Sequence, residues 1–178
     1  MKKLLVLAAL VTTMSVSVAS AKEFNDARWQ WFYSNSDYTG KVDLNTLSYD
    51  PSTDTAKAWA VWVRTAGVQE LISYKIYFEN NSMDLGQYYI YHDGSDTAYI
   101  QDSYKGQNHV AAPGMGDEAL IASVKGLVGR DTKLADYKKQ REDEAQLQEQ
   151  KRIEEQKAAE KKAKHERNRD ILKGIFGI

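Results

Sequence analysis

The chain has 178 residues, with 24 basic side chains, 25 acidic ones and no cysteine. The lack of cysteine excludes disulfide bonds, thiolate zinc sites, a cysteine nucleophile and a lipid-modified cysteine behind a leader sequence. The near balance of charge gives no large basic excess of the kind that nucleic-acid binding needs, so we expect no nucleic-acid partner.

The first 21 residues have the pattern of a secretory signal peptide. Lys2 and Lys3 give a positive start, an apolar run covers 4–11, and small residues lead to an A-x-A cleavage sequence at 19–21. The apolar run is shorter than the ~20 residues that a membrane-spanning helix needs, which argues against a permanent anchor. We therefore expect export to the periplasm or the cell surface, no transmembrane segment after cleavage, and a mature protein that begins near Lys22.

The charges divide the rest of the chain into an acidic body and a mildly basic tail. Residues 22–131 carry 15 acidic and 9 basic side chains, whereas 132–178 carry 10 acidic and 13 basic ones. We interpret 22–131 as one domain, which is long enough for a hydrophobic core of its own. We interpret 132–170 as a charged helical tail and 171–178 as a short apolar end.

Six short runs rich in Tyr, Trp, Val and Ile predict the strands of a β-sheet. The runs are 28–33, 41–47, 57–64, 68–79, 86–92 and 97–104. No helical run separates them, which favours an antiparallel meander over parallel strands with crossover helices. The last two runs flank the turn residues 93–96 and predict a hairpin.

Period-two alternation separates two faces of the predicted sheet, one toward the core and one toward solvent. In the third run Trp59, Val61 and Val63 oppose Ala58, Ala60 and Trp62, and in the fourth Ile72, Tyr74, Ile76 and Phe78 oppose Ser73, Lys75, Tyr77 and Glu79. The fourth run therefore has one clearly apolar face.

A helix is predicted after Pro113-Gly114, with Asp117 as its N-cap. Apolar residues recur at helical spacing at Leu120, Ile121, Val124, Leu127 and Val128. This stripe is suited to cover one face of the sheet. The predicted fold class is α+β, with an antiparallel meander of about six strands, one packed α-helix and a long charged C-terminal helix.

The tail is dominated by Lys, Arg, Glu, Gln and Ala between 133 and 170. A dimeric coiled coil needs apolar residues at the seam positions over at least three heptads. A register that starts at Leu134 and Tyr137 places polar residues in the next seam positions, namely Arg141, Glu144, Gln148 and Lys151. The pattern therefore favours a long exposed helix over a coiled coil.

Large apolar residues return at the end of the chain, at Ile171, Leu172, Ile175, Phe176 and Ile178. Such a segment can dock on the body of the protein, on another subunit or on a membrane surface. We interpret Ile171, Leu172, Ile175 and Phe176 as docking residues of the tail. A homo-oligomer formed through the tail is one consequence of this interpretation.

No group of residues in the sequence predicts an active site. His92 lies beside Asp93 and Asp96, but aspartates cap the backbone of tight turns without any metal, and the run lacks the closing Glu of a calcium loop. No serine lies in a G-x-S-x-G elbow, and Gly114-Met115-Gly116 lacks the Lys-Ser/Thr ending of a phosphate loop. We expect no catalytic residue, metal or cofactor. Carboxylates that come together only in the folded chain leave a small periplasmic hydrolase as a third alternative.

Tyrosines on the predicted strands are the main indication of a binding surface. Tyr89 and Tyr91 share one face of their strand and Tyr88 lies on the other. A tyrosine combines an apolar ring with a hydroxyl, which suits contact with a protein or a glycan. The candidate binding residues are Tyr77, Tyr89, Tyr91 and Tyr99. The alternative is that the C-terminal helix or a second subunit covers these rings.

Several short motifs occur in a characteristic order along the chain. They are Trp29 and Trp31 in the first run, Val42-Asp43-Leu44-Asn45-Thr46-Leu47, Val61-Trp62-Val63-Arg64, and Pro113-Gly114 followed by Glu118-Ala119-Leu120. In this order the chain resembles the surface-adhesin protein E-like domain of exported bacterial proteins. The resemblance implies an antiparallel sheet with a packed helix, in a family whose founding member is an adhesin for host matrix proteins. The chain departs from the family in having no cysteine and in carrying Met115 where Ser is usual.

The function expected from these observations is that of an exported, non-enzymatic binding protein of the bacterial periplasm or cell surface. Its partner would be a protein or a component of the cell envelope, recognised through the aromatic sheet face, the helical tail or both. The alternative is a structural protein that oligomerises through its C-terminal helix.

Overall fold

The computed structural model describes residues 23–92 and 95–177. The predicted signal peptide, 1–21, lies outside the described residues, and so do Asp93 and Gly94 of the predicted hairpin turn and the C-terminal Ile178. Within the described residues the chain forms eight strands, one 3-10 helix and two α-helices.

The strands are β1 (Trp29–Ser34), β2 (Tyr38–Asp43), β3 (Ser48–Asp50), β4 (Thr55–Arg64), β5 (Gln69–Tyr77), β6 (Ser82–Tyr91), β7 (Ala98–Ile100) and β8 (Asn108–Val110). The helices are the 3-10 helix η1 (Leu44–Thr46), α1 (Gly116–Leu127) and α2 (Arg130–Phe176). Every strand pair in the described sheet is antiparallel. The main strand order is β1-β2-β4-β5-β6-β7, while β3 also pairs with β4 and β8 with β6. The α+β class is confirmed, and the sheet has two short strands more than predicted.

Two of the predicted strands end earlier than expected. The second run continues to 47 in the prediction, but β2 ends at Asp43 because the carboxylate of Asp43 accepts the N–H of Asn45 at 3.1 Å and starts η1. The last run continues to 104 in the prediction, but β7 ends at Ile100. The chain then turns back through Gly106, whose φ is 79°, and forms β8 beside the start of β6.

The strand β6 begins earlier than expected, at Ser82, directly after the turn 78–81, in which Asn81 has a φ of 49°. Ser82 and Met83 are completely buried. The pairing of β5 and β6 shifts register opposite Ser73, where the Ser73 hydroxyl accepts the N–H of Gln87 at 2.7 Å. The first half of β6 thus pairs with β8 and the second half with β7.

The helix α1 covers one face of the sheet, which we call the closed face. Small side chains on β4, at Ala56, Ala58 and Ala60, leave room for the helix to approach the sheet. The buried helical residues are Leu120, Ile121 and Val124, and the apolar set of β5 lies on the same side. This confirms the predicted stripe except at Leu127, which is 41% exposed. The opposite face of the sheet, which we call the open face, has no α-helix on it in the described residues.

The predicted N-cap at Asp117 is wrong. The cap position is Met115, which makes no side-chain cap hydrogen bond, and Asp117 lies in the first turn of α1. The carboxylate of Asp117 instead pairs with Nε2 of His109 at 2.7 Å. Glu118 accepts the N–H of Gly114 at 2.8 Å, so the turn before the helix is held by a residue that follows the cap.

The helix α2 is continuous over 47 residues, which corresponds to about 70 Å. Gly129, with a φ of 64°, makes the turn between α1 and α2. Arg130 then pairs with Asp54, in the turn between β3 and β4. Every described side chain from Lys138 to Lys173 is exposed. The predicted tail and residues 171–176 of the predicted apolar end are therefore parts of one helix.

Candidate functional site

Three of the four predicted binding tyrosines lie on the open face. The register of β5 and β6 places Tyr89 opposite Leu71 and Tyr91 opposite Gln69. Tyr77 lies on the same face at the far end of β5. All three tyrosine side chains are partly buried and leave part of the ring accessible.

Trp59 on β4 completes this group, although its role was not identified from the sequence. Its ring stacks on Tyr89 with 5.9 Å between centroids and 22° between planes. The alternation of β4 places Trp59 with Val61 and Val63 on the open face, because the smaller alanines lie beneath α1. The alternation separates Trp59 from the alanines, but no sequence pattern shows that its ring reaches Tyr89 two strands away.

Residues 23–27, which precede β1, close one end of the open face. No sequence pattern indicated that this segment belongs to the candidate site. Phe24 is 4% exposed and contacts Trp29 edge-on at 4.9 Å and Tyr91 at 6.0 Å between centroids. The amine of Lys41 holds the segment by donating to the carbonyl of Phe24 at 3.1 Å and to the side chain of Asn25 at 2.6 Å. This segment lies outside the first predicted strand, so periodicity gave no signal for it.

A partly buried ion pair between Arg28 and Asp43 lies beside this segment. The carboxylate of Asp43 is 1% exposed and accepts both Nε, at 3.0 Å, and Nη2 of Arg28. These hydrogen bonds raise the pKa of Arg28. The same guanidinium lies over the ring of Trp29, 5.2 Å from its centroid. Asp43 thus neutralises the charge of Arg28, and it holds the guanidinium against the ring of Trp29.

Two neighbouring cavities on the open face form a groove. The first has a volume of about 350 Å³ and is lined by Phe24, Arg28, Trp29, Asp43, Leu71 and Tyr91 among others. The second, of about 450 Å³, is lined by Lys57, Ser73, Lys75, Asp84 and Gly86 among others. Trp59 and Thr46 line both cavities. We call these two adjoining cavities together the aromatic groove. No residue of α2 lines it.

Tyr77 marks the far end of the open face, beyond the groove. Its hydroxyl donates to Asp84 at 2.6 Å, and Asp84 also accepts the side-chain amide of Asn108 at 2.8 Å. These two hydrogen bonds lower the pKa of Asp84. The amine of Lys75 lies 4.9 Å from the centre of the Tyr77 ring. Tyr77 is therefore part of a polar cluster beside the groove and does not line it.

Tyr99 does not join the other tyrosines. The pairing of β6 and β7 places Tyr99 opposite Ile90, whereas Tyr89 lies opposite Ile100. Opposite residues in an antiparallel pair share a face, so Tyr99 lies on the other side of the sheet from the groove. Its ring is 60% exposed and contacts His92 edge-on at 5.3 Å.

A third cavity, of about 310 Å³, lies on the closed face beside the start of α1. Its charged groups are Arg64, whose Nε donates to Glu70 at 2.6 Å, and Asp117, which pairs with His109. Burial raises the pKa of Tyr88, which lines this cavity. Arg64 and Glu70 pair with each other and Asp117 pairs with His109, so each of these charged groups already has a partner.

The four docking residues of the tail lie near the end of α2. Ile171 and Leu172 are 55% and 54% exposed, so they pack on no other part of the described chain. Gly174, Ile175 and Phe176 belong to the helix, but their side chains lie outside what the structure describes. Residues 171–176 of the predicted apolar end thus lie at the end of α2 that is farther from the sheet.

The described residues contain no group of three His, Cys, Asp or Glu side chains that could hold a metal ion. His92 and Asp96 are described, but Asp93, between them, lies outside the described residues. Among the described helices, none has both the length and the apolar composition to cross a membrane. Comparisons with protein-family models, with curated proteins and with solved structures found no match for this chain.

Proposed function

We propose that this chain is an exported, non-enzymatic binding protein that holds a protein partner of the cell envelope in its aromatic groove. The observation that supports the proposal best is the line of aromatic rings across the open face, from Trp29 through Tyr91 to Trp59 and Tyr89. A sheet face of this composition is normally covered by a helix or a partner, and here the only described α-helix packed on the sheet covers the opposite face.

The composition of the groove matches that of protein interfaces. Trp, Tyr and Arg are the residue types that contribute most of the binding energy in such interfaces, and they act from pockets surrounded by polar groups. Trp29, Trp59, Tyr91 and Arg28 supply these types in the first cavity. Lysines at 57 and 75 supply a charged border to the second. Two cavities in line suit an extended segment of chain better than a compact small molecule.

Three charged side chains of the groove, those of Arg28, Asp43 and Asp84, have structural partners, which supports binding rather than catalysis. Arg28 and Asp43 bind each other, and Asp84 binds Tyr77 and Asn108. A general acid or base needs a perturbed group that can reach a substrate. In the groove, Arg28, Asp43 and Asp84 instead hold neighbouring side chains in place, so they preorganise the aromatic rings for a partner.

Export and the family relationship remain predictions from the sequence. The signal peptide pattern supports export, and protease treatment of intact cells separates the two locations: digestion indicates the surface, and protection until the envelope is opened indicates the periplasm. The resemblance to the surface-adhesin protein E-like domain agrees with a sheet that carries one packed helix. An adhesive function does not follow from that resemblance, because a fold can serve unrelated functions.

The proposal is tested by photo-crosslinking in cells that produce the protein. A photoreactive amino acid replaces Lys57, an exposed residue that lines the groove. The matched control places it at Ala122, an exposed residue on α1 at the other side of the sheet. We expect a discrete, protease-sensitive adduct from 57 alone, and its loss when Trp59→Ala is combined with the probe.

Three results contradict the proposal. An identical adduct pattern from 57 and 122, or no adduct at 57, shows that the groove holds no protein partner. An adduct that resists protease but is removed by glycosidases shows that the occupant is a glycan. Circular dichroism of Trp59→Ala confirms that the sheet still forms, as we expect because Trp59 is only partly buried.

A further inference from the structure

The end of α2 carries apolar side chains that the fold leaves uncovered. Ile171 and Leu172 are both more than half exposed. Two more large apolar residues, Ile175 and Phe176, follow four positions later in the same helix. We call residues 171, 172, 175 and 176 the apolar tip. Residues four positions apart lie on the same side of a helix. Positions 171 and 175 therefore share a side of α2, and so do the adjacent positions 172 and 176.

The body of the protein does not cover Ile171 or Leu172 of the apolar tip. The tip begins 41 residues after Arg130, where α2 leaves the body, which is about 60 Å along a continuous helix. Every described side chain between Lys138 and Lys173 is exposed, so the helix does not return to the sheet. The occupant of the tip must therefore be something outside this chain's own fold.

A second copy of the chain is a poor occupant. Helices that pair along their length need apolar residues at the seam over several heptads. Between 138 and 170 the large apolar residues of α2 are Leu147 and Ile153, which lie six positions apart and on different sides of the helix. A dimer would bury the tip alone and align two similarly charged helices beside it.

The charge around the tip is positive. Residues 161–173 include six basic side chains and two acidic ones, a net charge of +4. Lys164, Lys161 and Lys157 precede Ile171 by seven, ten and fourteen positions, which places them on the side of the helix that carries Ile171. An apolar patch with lysines on the same side is the composition of a helix that binds at a lipid–water interface.

We propose that the apolar tip of α2 binds the surface of a membrane that contains anionic phospholipids. The apolar residues enter the boundary between headgroups and acyl chains, and the lysines contact headgroup phosphates. The helix then links the body to the membrane without crossing it. This proposal does not depend on the aromatic groove, which lies at the other end of the chain's fold.

The test is sedimentation of the mature chain, 22–178, with lipid vesicles. One set contains phosphatidylcholine alone and the other contains phosphatidylcholine with phosphatidylglycerol. We expect binding to the second set, little binding to the first, and weaker binding as salt is raised, because the headgroup attraction is screened. Trp59→Ala leaves vesicle binding unchanged, which separates this result from any failure of the groove proposal.

Matched variants on the same helix locate the contact. We expect Ile171→Ser with Leu172→Ser to weaken vesicle binding about tenfold or more, because two apolar side chains no longer leave water. The control, Leu147→Ser with Ile153→Ser, removes two exposed apolar residues outside the tip and leaves binding unchanged. Lys161→Glu with Lys164→Glu removes the preference for anionic vesicles.

Three outcomes overturn the proposal. The first is no binding to either vesicle set, and the second is an equal loss of binding in the tip variant and in its control. The third is a dimer in sedimentation equilibrium without lipid that dissociates in the Ile171→Ser, Leu172→Ser variant, which assigns the tip to a second copy of the chain. Far-ultraviolet circular dichroism in buffer shows whether each variant retains the helix, so a folding failure is recognised.

Discussion

Asp54 is the residue at which the body, the turn between two strands and the long helix meet. Its φ is 48°, in the left-handed region, which residues other than glycine adopt rarely and aspartate more readily than most. Its carboxylate is held by Tyr49, whose hydroxyl donates to Asp54 at 2.9 Å, and by Arg130 of α2, whose Nε donates at 2.7 Å. Arg130 also lies over the ring of Phe78, 5.4 Å from its centroid.

The Asp54–Arg130 pair predicts a pH-dependent part of the stability. The hydrogen bond from Arg130 lowers the pKa of Asp54 below its ordinary value of 3.8. A carboxyl with a lowered pKa in the folded state stabilises the fold at pH values above 3.8, and this contribution is lost as the pH falls through the folded-state pKa. We expect Asp54→Asn to lower the free energy of unfolding by about 2 kcal/mol at pH 7.

The measurement is urea unfolding of the wild type and of Asp54→Asn between pH 7 and pH 2. The difference between the two proteins is expected to stay constant down to about pH 5 and to shrink below pH 4. The control is Asp102→Asn, an exposed carboxylate in the loop after β7, which should change little. A difference that stays the same at pH 2 would show that the charge on Asp54 contributes nothing.

At the scale of single residues, the sequence predicted the faces of the candidate tyrosines only in part. Alternation along β6 is a local property, so it placed Tyr89 and Tyr91 on one face correctly. Trp59 and Phe24 reach these rings from other elements, and contacts between elements leave no periodic signal. Tyr99 was grouped with them wrongly because the register of a hairpin, which decides the face of the second strand, depends on its turn.

At the scale of elements, the approach of α1 to the sheet is set by a glycine. Trp62 lies on the closed face, and its indole N–H donates to the hydroxyl of Tyr74 at 2.9 Å. Gly116, at the start of α1, lies so close to this indole that an added Cβ would come within 2.7 Å of its ring. The ring is held on other sides by Phe32 and Tyr38, so it has little room to move.

Two glycines of α1 therefore predict opposite effects of the same substitution. Gly116→Ala is expected to lower the free energy of unfolding by about 1–3 kcal/mol, because the methyl group overlaps Trp62. Gly126→Ala meets nothing within 4 Å and is expected to raise it by about 0.5–1 kcal/mol through helix propensity. Thermal and urea unfolding of both variants measure the two effects. If both substitutions changed the free energy of unfolding by the same amount in the same direction, the close contact of α1 with the sheet would be contradicted.

At the scale of the whole molecule, the chain combines a packed body with a helix that has little tertiary support. The body buries its apolar side chains between the sheet and α1. The helix α2 contacts the body at its first turns, where Leu134 and Tyr137 are partly buried, and is exposed beyond them. Its stability beyond that point comes from helix propensity and from side-chain pairs such as Arg152 with Glu149, at 2.8 Å.

This division predicts that most of α2 can be removed without cost to the body. A chain that ends at Lys139 is expected to unfold in urea with a free energy within about 0.5 kcal/mol of the full chain, because the residues removed make no tertiary contacts. The helical signal in circular dichroism should fall in proportion to the residues removed. A chain that ends at Val128 also loses Arg130, and its body should be less stable.

The sequence by itself determined the local features of this protein: the strands with regular alternation, the stripe of α1 and the charged composition of α2. These features depend on side-chain periodicity and composition, which are written in contiguous residues. Only the tertiary structure decided which sheet face α1 covers, that Trp59 and Phe24 complete the groove, and that the tail and the apolar end form one helix. Those outcomes depend on packing, register and contacts between residues far apart in the chain, such as Asp54 with Arg130 and Phe24 with Tyr91.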